Sequence, residues 1–108
     1  MMSIKFEDSL ISKIQEGEKD TIWRLWSKRD VEPGQKVSLQ DTEGSEFAKA
    51  EIVWVKDTTF GDLTPEDCEG HEPFESEEEM YSTYEDYYSR EVGPGTRVKV
   101  IKFRLLRG

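Results

Sequence analysis

The negative charge of this chain is gathered in one place. Of the 24 acidic residues, 11 lie between Glu66 and Glu91 with a single basic one, Arg90, a net of −10; elsewhere 13 acidic residues meet 14 basic ones, a net of +1. A near-neutral stretch can bury a core, whereas the acidic stretch must keep most of its side chains in water. Leu, Ile, Val and Phe number 24 among 108 residues, about 22%, just above the level of roughly 20% below which disorder is expected. The core is therefore thin. The sequence predicts one domain over residues 1–108 that carries an acidic helical insertion at about 64–91. The acidic pI describes the insertion, not a binding face elsewhere.

Several classes drop out. No apolar run approaches the roughly 20 residues of a membrane-crossing helix, and the charged N-terminus does not read as a signal peptide, so no membrane partner is expected. One cysteine, Cys68, excludes an internal disulfide and suits a reducing, cytoplasmic setting. One histidine, His71, rules out the common His/Cys zinc sites. Glu75–Glu79 with Glu85–Asp86 lacks EF-hand spacing and reads as a solvated helix face. There is neither a Walker A loop nor a Gly-x-Gly-x-x-Gly run. No metal and no cofactor are implied.

Phe6, Leu10, Ile11 and Ile14 share one helical face, and Gly17 follows as a stop, which predicts a helix over about 7–16 after a short strand at 4–6. Thr21–Trp26 is β-branched and aromatic, a strand with Thr21, Trp23 and Leu25 on one side and Ile22, Arg24 and Trp26 on the other. Pro33-Gly34 predicts a type II turn, Lys36–Gln40 an alternating strand, Asp41–Gly44 a turn and Phe47–Val55 a longer strand. Thr64-Pro65-Glu66-Asp67 opens a helix, and Ser76 with Glu79 opens another over about 77–89, its aromatic face formed by Met80, Tyr84, Tyr87 and Tyr88 and its end set by Gly93-Pro94-Gly95. Arg97–Leu106 is the last strand; Val98, Val100 and Phe103 do not alternate, so Ile101 marks either a bulge or burial on both sides. Without strand–helix alternation a doubly wound sheet is excluded. The fold class is α+β, a small mixed β-barrel of about five strands with two or three short helices.

The order of these elements resembles the ASCH domain family of the PUA-like β-barrels. Gly17-Glu18-Lys19 followed by Trp23-Arg24 is similar to the family's Gly-x-Lys and strand ending in Arg. Val31–Ser38 is similar to its turn into a strand, Phe60–Asp67 to its Phe-x-x-Leu-Thr-x-Glu-Asp helix start, and Val100–Leu105 to its closing strand. The resemblance implies a PUA-like barrel with a cleft between barrel and helices, and an RNA- or nucleotide-binding role. Some small members are acetylcytidine amidohydrolases that use a Lys, a Thr and a Glu. Here these map to Lys19, to Thr21 (the family's own position, two before the Arg, is Ile22) and to Glu72. Catalysis then turns on whether Thr21 shares the cleft with Lys19.

The residues themselves leave alternatives open. Lys19 either meets a phosphate or carbonyl, or acts as a base, or is a loop lysine in water. Arg24, an arginine between two tryptophans, needs a partner, whether a ligand phosphate or base edge or an internal carboxylate such as Asp62 or Glu72. Trp26 is the stacking candidate, beside the basic pair Lys28 and Arg29, while Trp23 and Trp54 read as core. Arg97, Lys99, Lys102 and Arg104 on the last strand are either a phosphate-tracking stripe or edge charges that discourage aggregation. The tyrosines at 81, 84, 87 and 88 read as a docking face. Cys68 lacks the neighbours of a nucleophile. The expected partner is RNA or a nucleoside or nucleotide bound by Lys19, Arg24, Trp26, Lys28 and Arg29, with the acidic segment as a lid or a screen against promiscuous phosphate binding. The rivals are an amidohydrolase acting on a modified nucleoside and a protein-interaction module working through the acidic helix.

Overall fold

Alternating apolar residues and well-placed turn residues build the observed architecture, a computed structural model that describes residues 2–25, 31–71 and 73–106. The strands are β1 (Met2–Lys5), β2 (Thr21–Leu25), β3 (Lys36–Gln40), β4 (Glu46–Thr59) and β5 (Arg97–Leu106), with helices α1 (Asp8–Gln15), α2 (Pro65–Cys68) and α3 (Glu77–Tyr88). Among the described residues the strands form one mixed sheet in the order β1-β3-β4-β5-β2, parallel only between β1 and β3. The sheet curls into a half-barrel whose two edges, β1 and β2, are not laddered to each other. The fold is α+β and barrel-like, as the sequence predicts.

Local chemistry sets the joins. Gly17 takes φ +86°; its N–H donates to the Ile14 carbonyl at 3.1 Å and that of Glu18 to the Lys13 carbonyl at 2.9 Å, the paired bonds of a Schellman stop. Pro33-Gly34 makes the type II turn, with Gly34 at φ +89° and the Gln35 N–H donating to the Glu32 carbonyl at 3.2 Å. Thr64 and Asp67 form a full capping box on α2.

Both faces of the sheet are covered. On one, Ile14 of α1 packs with Ile4, Ile22, Val37, Ile52 and Phe103; on the other, Met80 and Tyr84 of α3 pack with Trp23, Phe60, Val98 and Val100. Burying each such side chain contributes about 1.5–3 kcal/mol. β2 and β5 therefore feed both layers, which explains the last strand: it alternates without a slip, Val98 and Val100 to one layer, Ile101 and Phe103 to the other. The bulge lies on its partner. β4 shifts register between Ile52 and Trp54, leaving Val53 44% exposed and turning Trp54 to the α3 layer while Ile52 and Val55 pack with the α1 layer.

Three expectations change. β4 does not stop at Val55: polar Lys56–Thr59 stay in the strand because they ladder with Arg97–Val100. α3 ends at Ser89, which takes the left-handed conformation at φ 53°, before Gly93-Pro94-Gly95 is reached. Its aromatic face is split, with Met80 and Tyr84 buried but Tyr87 and Tyr88 exposed.

Candidate functional site

The unclosed side of the half-barrel is a cleft of about 400 Å³, within the range of small-ligand sites. One wall is the end of β1 and start of α1, with Lys5, Phe6, Glu7 and Leu10; the other is Lys19 and Ile22, Trp23 and Arg24 of β2; His71, Tyr84, Tyr87 and Tyr88 close it from the helical side. Four of the six rings come from the acidic segment, so the segment is part of the site's wall.

Each wall is held from beneath. Trp23 Nε1–H donates to the Asp67 carbonyl at 2.8 Å, and the His71 ring stacks on the indole with centroids 3.8 Å apart and planes at 12°. His71 Nε2 is hydrogen-bonded to the Tyr84 hydroxyl at 3.0 Å. Tyr84 and Tyr88 stack with planes at 12°. The segment carrying His71 is tied to the start of β2: the N–H groups of Asp20 and Thr21 both donate to the Gly70 carbonyl, at 2.9 and 3.2 Å. Gly70 sits at φ +78°, and a Cβ there would collide with Asp20 Oδ1. Below, the buried Asp67 carboxylate accepts from the Thr64 N–H and from Lys56 Nζ, both at 2.9 Å. Burial pushes its pKa up, but the Thr64 backbone bond and Lys56 outweigh that and hold it below the usual carboxylate range.

The predicted residues divide three ways. Lys19 and Arg24 reach the cleft together. Lys19 is not at an open lip but 4% exposed, and its Nζ donates to the Thr21 carbonyl at 2.9 Å. Arg24 is half-buried and its side chain makes no hydrogen bond or ion pair to another described residue; Asp62, one proposed partner, instead accepts from Thr59 Oγ1. Thr21 is fully buried and absent from the cleft lining; its hydroxyl donates to the Glu69 carbonyl at 2.8 Å, with Asp20 Oδ1 at 3.1 Å. Ile22, two residues before Arg24, lines the cleft instead. Glu72, Trp26, Lys28 and Arg29 lie outside the described residues.

Two basic residues of β5 are engaged elsewhere: Arg104 pairs with Glu51 at 2.7 Å and Lys99 with Asp57 at 3.5 Å. Lys102 lies 4.0 Å from Asp20 in a second cleft. Cys68 has its thiol pKa pushed up by burial and by Asp67, which suppresses the thiolate a nucleophile needs. No group of three or more metal-ligating side chains exists among the described residues, and among them no helix is long and apolar enough to cross a membrane.

The sequence reading missed Lys5, Trp23, His71 and the exposed Tyr87 and Tyr88 as cleft residues. The signal for the tyrosines was their number: four on a 12-residue helix exceed what one buried stripe can take.

The sequence matches no family model and no curated protein. Solved structures do match. An ASCH domain from Lactobacillus crispatus superposes with a TM-score of 0.72 at 15% identity, covering 91% of this chain and 70% of that one. An Enterococcus faecalis protein assigned to a family of unknown function gives 0.80 at 13% identity, with 98% and 81% covered. An ASCH protein variant from Zymomonas mobilis gives 0.64 at 17% identity, with 97% and 71% covered. This chain has the ASCH-like fold, a small α+β half-barrel.

Proposed function

We propose that this chain is a binding module for RNA or a nucleotide-like ligand, held in the cleft between β1, β2 and α3. The observation that carries the reading is the company the cleft keeps: among the described residues Lys5, Lys19 and Arg24 stand against one carboxylate, Glu7, beside a set of aromatic rings, in a protein of net charge −9. A phosphate and a planar base are what such a lining recognises. Arg24 carries the phosphate contact, because it surrenders no ion pair to a described residue when a ligand arrives. Tyr87 and Tyr88 at the rim supply ring faces on which a base stacks. The ASCH resemblance supports the same ligand class.

The amidohydrolase alternative has less support. Ile22 lines the cleft where a hydroxyl is wanted, and the Thr21 hydroxyl is bonded to a main-chain carbonyl away from it. The protein-interaction alternative has only the acidic face of α3 in its favour.

The test is an equilibrium titration of the four 5′-mononucleotides and a short single-stranded RNA at several salt concentrations, with Arg24→Ala and Lys5→Ala alongside and circular dichroism to confirm their folding. Binding that falls with salt and is lost in Arg24→Ala supports the reading. No binding of any of these ligands at low salt overturns it.

A further inference from the structure

Three consecutive residues of β2, Ile22, Trp23 and Arg24, line the cleft. Side chains alternate across a strand, so one cavity meets three in a row only where it faces the strand's edge. Hydrogen bonds on either side of the strand start fix what that edge presents. The Asp20 carbonyl accepts from the Phe103 N–H at 2.9 Å, so residue 20 faces β5. The Thr21 N–H turns the other way to Gly70, and the Thr21 carbonyl accepts from Lys19. In an antiparallel ladder a residue's N–H and C=O point to the same side, and the side alternates. Ile22 and Arg24, paired with Ile101 and Lys99, therefore bond to β5. The N–H and C=O of Trp23 point outward, along the open edge, and meet no partner among the described residues.

We infer that this main-chain pair reads the ligand's heterocycle: the Trp23 N–H donates to a ring nitrogen or carbonyl oxygen and the Trp23 C=O accepts from the adjacent ring or exocyclic N–H of a nucleobase. The inference rests on the nucleotide reading above and adds the group that recognises the base. A main-chain donor and acceptor away from water require partners, and every nucleobase carries such an acceptor and donor side by side. A peptide strand suits the edge less well. Thr21 before Trp23 is already bonded, and Leu25, the next outward residue, does not line the cleft, so one pair is on offer where strand addition uses several. Arg24 beside the pair sets the phosphate to one side of the ring.

The experiment uses the ¹⁵N-labelled full chain. The tightest of AMP, CMP, GMP and UMP is titrated by NMR beside its counterpart in which methyl replaces every hydrogen on the donor nitrogen of that edge, and beside ribose 5-phosphate. The expected result is that the Trp23 amide moves downfield and its hydrogen exchange slows with the nucleotide but not with ribose 5-phosphate. The methylated nucleotide should bind about tenfold more weakly, the effect of one blocked hydrogen bond. If the nucleotide binds and Arg24→Ala weakens it, yet the Trp23 amide stays put and methylation changes nothing, the inference is wrong and the nucleotide reading stands. If no nucleotide perturbs any cleft resonance, both fall together.

Discussion

Trp23 and His71 lie ring on ring, 3.8 Å between centroids, although 48 positions separate them in the chain. The indole is pinned by the Asp67 carbonyl and the imidazole by the Tyr84 hydroxyl, so β2, the α2 segment and α3 meet in one aromatic block. Trp23→Phe keeps an apolar ring but removes the N–H bond and part of the stack. It should lower unfolding free energy by about 2–3 kcal/mol in urea denaturation. Arg24→Ala, with no ion pair to a described residue to lose, should stay within about 0.5 kcal/mol of the parent.

Asp67 links this block to pH. Its folded-state pKa is depressed, so the stability it contributes is present above the ordinary carboxylate value of 3.8 and is lost as pH falls through the lower folded value. Asp67→Asn should be less stable by about 1–2 kcal/mol at neutral pH. The gap to the parent should close in acid. Urea titrations from pH 7 down to the acid limb would show it, and a gap independent of pH would exclude this role.

Gly70 and Gly17 offer an internal comparison. Both have positive φ, and alanine there carries about 1–2 kcal/mol of backbone strain. At Gly17 a Cβ meets open space, whereas at Gly70 it strikes Asp20, which must move and disturb its contact with the Thr21 hydroxyl. Gly70→Ala should therefore be the more destabilising by about 1 kcal/mol, and it should also weaken nucleotide binding, because the loop it closes carries His71. Equal melting points for the two variants would contradict this.

Thr21→Val separates a structural hydroxyl from a catalytic one. The expected outcome is a loss of about 1–2 kcal/mol, from the bond to the Glu69 carbonyl, with nucleotide affinity unchanged. Hydrolysis of N4-acetylcytidine by the parent, abolished in a well-folded Thr21→Val, would restore the amidohydrolase reading.

Asp86 is an exposed acid in the last turn of α3, which has no basic residue there. A helix C-terminus disfavours negative charge. Asp86→Lys should stabilise the protein by about 0.3–1 kcal/mol. It should also tighten binding of a mononucleotide at low salt, with the gain fading as salt is added. Unchanged affinity at low salt would remove the acidic segment from any screening role.

The sequence made the strand and cap positions readable because their causes are local: Pro33-Gly34, Thr64-Pro65 and Gly17 each act through their own backbone. What it hid depends on partners far along the chain. Lys56–Thr59 look like a polar loop and become strand only through β5. Of the two readings at Ile101, burial on both sides holds and the bulge sits at Val53, since a strand seen alone cannot show which member of a pair holds the extra residue. At the site, Lys19 was visible through the family resemblance, and Arg24 through that resemblance and its place between two tryptophans. His71 and Trp23 were not, because each looks like core until the other is set against it, and Lys5 joins the cleft only through the position of the β1 edge.

The pairing of β2 with β5 has a consequence for biosynthesis. Thr21 faces Lys102 and Leu25 faces Val98 across the ladder, so one face of the site is translated well before its support. At about 5–20 residues per second, the β2 segment waits several seconds, its tryptophan uncovered, before its neighbour leaves the ribosome. The β3–β4 hairpin can form in that interval, but the cleft cannot. A ligand for this site can therefore engage only a chain extended past β5, and ribosome-stalled fragments ending before residue 98 should neither bind it nor resist protease over residues 20–25.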